Sequence, residues 1–298
     1  LLETLYQHHL PHGWCKLIHS YLTNRTFKVR IGNKLSTERT MRAGVPQGSR
    51  IGPYLFLTHA ADIPVPTPPN SIIQTYVDDV VIGTHGFRAD DRLQRALTNI
   101  EHWATHKNIG INPEKSQAIT IKKRQTPPPP QILGIDIPYS QTVTYLGITI
   151  GRTLSKTPQM TKIVRKSRWL TRMAQALGAN QNPHTATLIY KQVVRPTLEY
   201  AAPTMVPLKI TQTKNYRTAH TNLLKRLLHI PTRSPTTPLL AELKLEEPIT
   251  RIHNAHHKFH TKCSHTPHPI NDNLIVPRWI HARKQSPTDV WLLQNDPG

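Results

Sequence analysis

Two adjacent carboxylates, Asp78 and Asp79, sit between runs of β-branched residues in IIQTYVDDVVIG, Ile72 to Gly83, at the tip of what reads as a hairpin. Side by side they repel, and burying them bare would raise their pKa values; a divalent cation removes that penalty and makes the pair useful for metal-assisted chemistry. The plainer alternative is that the pair only ends a strand, since Asp favours turns. A second concentration comprises His253, His256, His257, His260, Cys263, His265 and His268. Its His-x-x-x-His spacings on a helix can bind zinc. Eighteen histidines produce such spacings by composition, however, and no second cysteine or carboxylate completes a tetrahedral set, so no zinc site is assigned. A third group, Arg165, Arg168 and Arg172, lies opposite an apolar helical face and suits a phosphate backbone, since no acids are near to pair with it.

The elements that must position these residues are legible in outline. Apolar positions from Leu2 to Leu22, broken by Pro11-His12-Gly13, predict two short helices, and FKVRIG from Phe27 alternates as a strand does. Ser49 suits the N-cap of a helix carrying Leu55, Phe56 and Ile63, and Asp90 or Asp91 the cap of a helix with Leu93, Ala96, Leu97, Ile100, Trp103 and Ala104 on one side. After a turn at Asn112-Pro113 the chain reads as a strand; Pro127–Pro130 is an extended linker, and Thr142 to Ile150 another strand. From Thr157-Pro158 onward the pattern is helical, and in the first such helix Met160, Ile163, Leu170, Met173 and Leu177 share a face.

At 298 residues the chain is long enough for two domains with real cores. Cys15 and Cys263 provide no disulfide framework and suit a reducing compartment. No apolar run approaches membrane-spanning length and Leu1 opens no signal peptide, which leads to an intracellular expectation. The lack of an initiator Met suggests a piece of something longer. A formal net charge of +21 points to a polyanionic partner, with nucleic acid the leading candidate. The charge is uneven: between Gly151 and Ala241 the only acid is Glu199, against fifteen Lys and Arg.

YVDD at Tyr76–Asp79 follows AGVPQGSRIGPYLF at Ala43–Phe56 and precedes INPEKSQAI at Ile111–Ile119 and YLGIT at Tyr145–Thr149. In this order and spacing the segments resemble the reverse transcriptases of non-LTR retrotransposons, in particular the jockey-like group. YKQVVRPTLEYAAP, Tyr190–Pro203, extends the resemblance more weakly toward the C-terminus.

The resemblance implies an α+β chain: a right-hand polymerase palm with the rear of the fingers over 1–150, then a basic helical thumb and C-terminal extension over 151–298. It implies RNA-directed DNA polymerisation with two magnesium ions, on an RNA template with a DNA primer and deoxynucleoside triphosphates, acting in the nucleus. Asp78 would be a metal ligand and Asp79 a weaker one, with a further aspartate expected upstream of residue 1; without it the chain alone is expected to be inactive. An endonuclease would also lie upstream. Lys115 would protonate or neutralise the leaving pyrophosphate. Gly44, Pro46, Gln47 and Gly48 would pass close to template and nucleotide, Tyr76 would stand near the primer end, and Tyr145, Leu146 and Gly147 would hold the primer. Arg165, Arg168 and Arg172 would meet nucleic-acid backbone. The alternative is a catalytically dead remnant that retains only nucleic-acid binding.

Overall fold

The computed structural model describes residues 1–41, 43–122, 125–267, 280 and 284–295. They form a mixed α and β chain, with helices and small two-stranded antiparallel sheets. Two compact units emerge, one made of Leu1–Ala118 with Gln125–Tyr139, the other of Ile119–Arg124 with Ser140–Gly298. The hairpin within 142–151 therefore clusters with the helical unit.

In the first unit, α1 (Leu2–Gln7) and α2 (His12–Leu22) are the two expected short helices. Leu5, Cys15 and Ile18 pack with Leu55 of α3 (Gly52–Ala60) in a small buried cluster. Ser49 is not the N-cap of α3, a place taken by Ile51 without a side-chain cap, although its Oγ accepts from the Gly52 amide at 2.9 Å. FKVRIG is not one strand: β1 (Arg25–Phe27) pairs with β4 (Arg39–Met41), and the chain between them folds back as β2 (Arg30–Ile31) on β3 (Lys34–Leu35). Next come β5 (Ser71–Tyr76) and β6 (Asp79–Thr84). The helix α4 (Ala89–His106) then buries Ala96, Ile100 and Ala104. Asp90 and Asp91 lie inside its first turn, where they favour the helix dipole, and neither is the cap; that place falls to Arg88, with left-handed backbone. Asp62 accepts from Trp103 Nε1 at 3.0 Å and from Lys107 Nζ at 2.6 Å, tying the chain after α3 to the end of α4. Gln94 exchanges two hydrogen bonds with the backbone of Gln131, at 3.0 and 2.8 Å, and so docks the hairpin of β7 (Gln131–Ile132) and β8 (Ile135–Asp136). The strand expected after Asn112-Pro113 is absent from the described residues: a single turn, Pro113–Lys115, is followed by an isolated bridge from Ala118 to Tyr139.

The second unit holds the larger core. The single strand expected over 142–150 is a hairpin, β9 (Thr142–Tyr145) on β10 (Ile148–Gly151). The helix α5 (Thr157–Ala176) begins at the expected Thr-Pro pair and buries Met160, Ile163, Ser167, Leu170 and Ala174. Met173 and Leu177 are exposed instead, because the buried stripe continues through Thr171 and Ala174. A short helix α6 (Pro183–Ile189) runs through a π turn at Tyr190–Val194 into α7 (Arg195–Glu199), followed by α8 (Ala202–Met205). Along α5 packs α9 (Ile210–Leu227), with Ser167 Oγ donating to the Ala219 carbonyl. Buried Lys225 is satisfied by three oxygens, Thr232 O at 3.2 Å, Ser234 O at 2.6 Å and Thr236 Oγ1 at 2.9 Å, which draws α10 (Thr236–Glu242) onto α9. The last elements are α11 (Pro248–His265) and α12 (Pro287–Asn295). His256 Nε2 meets the Pro287 carbonyl at 2.7 Å and Trp291 stacks on His260.

Inside this core His220 is fully buried, hydrogen-bonded to Tyr190 at 3.1 Å and in ring contact with Tyr216. Burial, aided by the charges of Arg251 and Arg195, pushes its pKa down to about 3. The unfolded chain then binds a proton near the ordinary histidine value that the folded chain refuses, so stability is lost as pH falls below that value, down to the folded pKa. His256 and His260 are lowered by burial as well and add to the same slope. Chemical unfolding of the 298-residue chain at neutral pH and near pH 5 should show a loss to which His220 contributes roughly 2 kcal/mol. His220→Gln should flatten the slope by that amount, and an unchanged slope would show that the imidazole is protonated in the fold.

Candidate functional site

The strand β5 ends at Tyr76 and β6 begins at Asp79, which leaves Val77 and Asp78 as the whole loop. Val77 takes φ +55°, a costly setting for a β-branched residue, of order 1–3 kcal/mol. Tyr76 and Asp79 face each other across the ladder, so their side chains share one face. On the same pair of strands Gly83 stands opposite Ile72, where a Cβ would come 2.9 Å from Ile72 Cγ1. Asp78 and Asp79 are both exposed at the tip, and the described residues give neither carboxylate a side-chain partner.

Exposed carboxylate oxygens are the donors that a hard divalent cation takes. Among the described residues no group of three or more His, Cys, Asp or Glu gathers, so these two acids alone could offer a cation only part of a coordination shell. The histidine segment forms α11, with His256 and His260 turned into the core at 4.6 Å between rings and His253 and His257 exposed; His268 lies outside the described residues.

The loop carrying Gly44, Pro46, Gln47 and Gly48 is in the same unit. Gly44 and Gly48 have φ of +80° and +85° with open space where a Cβ would be, so backbone conformation alone calls for glycine there. Arg25 staples the loop, donating to the Gly44 carbonyl and, through Nε, to Leu22 O at 2.9 Å. Gln47 is exposed. Lys115 closes the turn that Asn112 caps, its amide donating to Asn112 Oδ1 at 3.1 Å, and its side chain is exposed. No hydrogen bond or ion pair among the described residues joins Lys115 to the aspartates.

The remaining expected residues belong to the second unit. Leu146 and Gly147 form the β9–β10 turn with φ of +45° and +78°. Both carbonyls of that turn are held: Tyr200 Oη donates to Leu146 O at 2.9 Å and Lys162 Nζ to Gly147 O at 2.6 Å. Thr142, Thr144 and Thr149 of the hairpin face Thr161, Lys162 and Arg165 of α5 across a groove of about 800 Å³. Arg165, Arg168 and Arg172 are exposed, and none makes an ion pair among the described residues.

Over residues 1–150 the chain matches the family described as reverse transcriptase (RNA-dependent DNA polymerase). The chain belongs to that family. It is 34% identical over 206 residues to the probable RNA-directed DNA polymerase from transposon X-element of Drosophila melanogaster, covering 64% of this chain and 22% of that protein. To the RNA-directed DNA polymerase from mobile element jockey it is 28% identical in Drosophila melanogaster, covering 89% of this chain and 30% of that protein. The Drosophila funebris counterpart is 26% identical, over 88% of this chain and 30% of its own length. The chain thus spans between a fifth and a third of the length of these relatives. No solved structure matches it.

Sequence reasoning missed three residues that hold these loops by hydrogen bonds: Arg25, Lys162 and Tyr200. Tyr200 falls within the quoted YKQVVRPTLEYAAP stretch, but its target lies 54 residues away in sequence and leaves no local periodicity to read.

Two outcomes follow. Manganese added to the folded chain should broaden resonances of Tyr76–Val80 first, and Asp78→Asn should weaken that effect more than Asp79→Asn; equal broadening at every surface acid would reduce the pair to a turn. Gly147→Ala should destabilise the β9–β10 hairpin by about 1 kcal/mol or more, because the new Cβ would meet Tyr200 Cε1 at 3.2 Å in left-handed backbone. Faster amide exchange confined to 142–151 is the readout, and unchanged exchange would contradict the strain.

Proposed function

We propose that this chain is the part of an RNA-directed DNA polymerase that carries the Asp-Asp hairpin of the palm and the thumb behind it, adding deoxynucleotides to a primer 3′ end on an RNA template. The observation that supports this most is the hairpin itself: within the segment matching the family, its tip exposes Asp78 of the loop and Asp79 of the returning strand to solvent beside Tyr76. Residues 1–139 then correspond to the rear of the fingers and most of the palm, and the basic helices from α5 onward to the thumb.

Asp78, with Asp79 as the weaker partner, would hold magnesium together with a further aspartate. Bound magnesium supplies charge stabilisation at the attacking 3′ oxygen and at the departing pyrophosphate. The chain's own groups do the remainder. Lys115, solvent-facing on a capped turn, gives a proton or a positive charge to the leaving pyrophosphate. Gly44 and Gly48 bring backbone close to template and incoming nucleotide without a side chain in the way, Pro46 fixes the backbone between them, and Gln47 supplies an amide there. Tyr76 stands by the primer end. The turn Tyr145–Gly147, fixed by Tyr200 and Lys162, holds the primer strand, and Arg165, Arg168 and Arg172 contact phosphates. The polymerase would act in the nucleus, at the site of insertion.

Primer extension on an RNA template tests this in a polypeptide of the relatives' full length that carries the segment. Asp78→Ala should abolish extension, and Lys115→Ala should slow it about 10²–10⁴-fold as loss of a general acid does. Full activity after Asp78→Ala would overturn the assignment.

A further inference from the structure

One side chain on α5 stands apart from the roles above. Trp169 is 53% exposed on a helix whose opposite face is buried from Met160 to Ala174. A single exposed aromatic is ordinary, but the neighbours of this one are not. Arg165 and Arg172 lie four residues before and three after it, so on a helix they flank the indole on one face, with Arg168 adjacent. All four side chains are exposed. Toward the start of α5 the same face continues through Thr161 and Lys162 into the hydroxyl-lined groove against the β9–β10 hairpin.

The electrostatics of this face point outward. Glu199, the only acid between Gly151 and Ala241, is bound by Arg251 at 2.7 Å through both oxygens and is unavailable to α5. An arginine row that the described residues do not neutralise attracts a polyanion. From Arg165 to Arg172 the helix rises about 10 Å, the rise of roughly three stacked nucleotides of one strand. Between those cations a flat indole offers its ring to a planar partner, and a nucleobase has a free face only where it is not already stacked in a duplex.

We propose that this face of α5 is a track for single-stranded nucleic acid, in which Trp169 stacks on an unpaired base while Arg165, Arg168 and Arg172 hold the flanking phosphates. The inference rests on the reading that α5 meets nucleic acid, and adds to it a strand state and a base contact. Such stacking tolerates any sequence, since every base has a π face, and its contribution should separate from that of the arginines by its insensitivity to salt.

The 298-residue chain, titrated with a short oligothymidylate and with a blunt DNA duplex of the same length, tests it. Trp169→Leu should weaken binding to the single strand about 5- to 100-fold, leave duplex binding unchanged, and abolish the quenching of tryptophan fluorescence that accompanies single-strand binding. Trp169→Phe, which keeps a smaller ring, should fall between, and the exposed position leaves folding intact in both. Equal weakening for single strand and duplex would overturn the proposal, as would no weakening at all, which would leave the indole to a protein contact. Absence of any nucleic-acid binding by the parent chain at low salt would instead bring down the underlying reading of α5.

Discussion

The ion pair between Glu199 and Arg251 decides how charge is distributed in the second unit. Arg251 Nε and Nη2 each donate to a Glu199 oxygen at 2.7 Å, and the two side chains are 26% and 15% exposed. The pair joins the end of α7 to α11 next to fully buried Leu198 and Ile252. Removing Arg251 would leave the largely buried Glu199 carboxylate uncompensated, at a cost on the order of a few kcal/mol, whereas Arg251 also reaches Glu246 at 3.4 Å and so keeps a partner if Glu199 is lost. The consequence reaches beyond stability. With its single local carboxylate committed to Arg251, the stretch that forms α5 to α9 has no further acid of its own to offset the arginines on α5, and a polyanion, if bound there, would relieve that repulsion. Lys225 shows the contrasting solution, a cation brought inside and satisfied by neutral oxygens.

The first unit works under a different constraint. Its buried apolar cluster is small, centred on Leu5, Cys15, Ile18 and Leu55, and its sheets have two strands each. Two-stranded pieces gain little stability alone, so side-chain staples matter: Asp62 to Trp103 and Lys107, Gln94 to Gln131, Arg25 to Gly44. Positive φ recurs at turns across this unit, at His9, Asn24, Arg88, Asn108 and Leu133 among others, and the loops of interest share it. Val77, Gly44 and Gly48 all have positive φ, and at Val77 no glycine relieves it. A strained tip whose carboxylates have no side-chain partner among the described residues leaves Asp78 and Asp79 open to solvent.

Much of this was legible from residue types. The helices α1, α2, α4 and α5 follow from apolar spacing, and the Asp-Asp hairpin from β-branched flanks around two acids. The break at Leu146-Gly147 was not, because TVTYLGITI has the composition of one strand and Leu146 is a poor turn residue; what bends the chain there is a pair of donors, Lys162 and Tyr200, from distant elements. Met173 and Leu177 misled for a related reason: helical periodicity locates a stripe, while the neighbouring helix α9 decides which edge of it is covered, and here Thr171 and Ala174 are taken in their place. Long-range donors and the edges of packed faces leave no local signature.

The claim that joins these observations is that the second unit is built around contact with phosphates through α5. Affinity of the whole chain for nucleic acid, measured as a function of salt, tests it most directly. A steep fall of log K with log salt is expected, with a slope made shallower by about two to three when Arg165, Arg168 and Arg172 are all changed to glutamine, since each phosphate contact contributes about 0.7–0.9. A flat dependence, or a slope that ignores the loss of the three arginines, would contradict it.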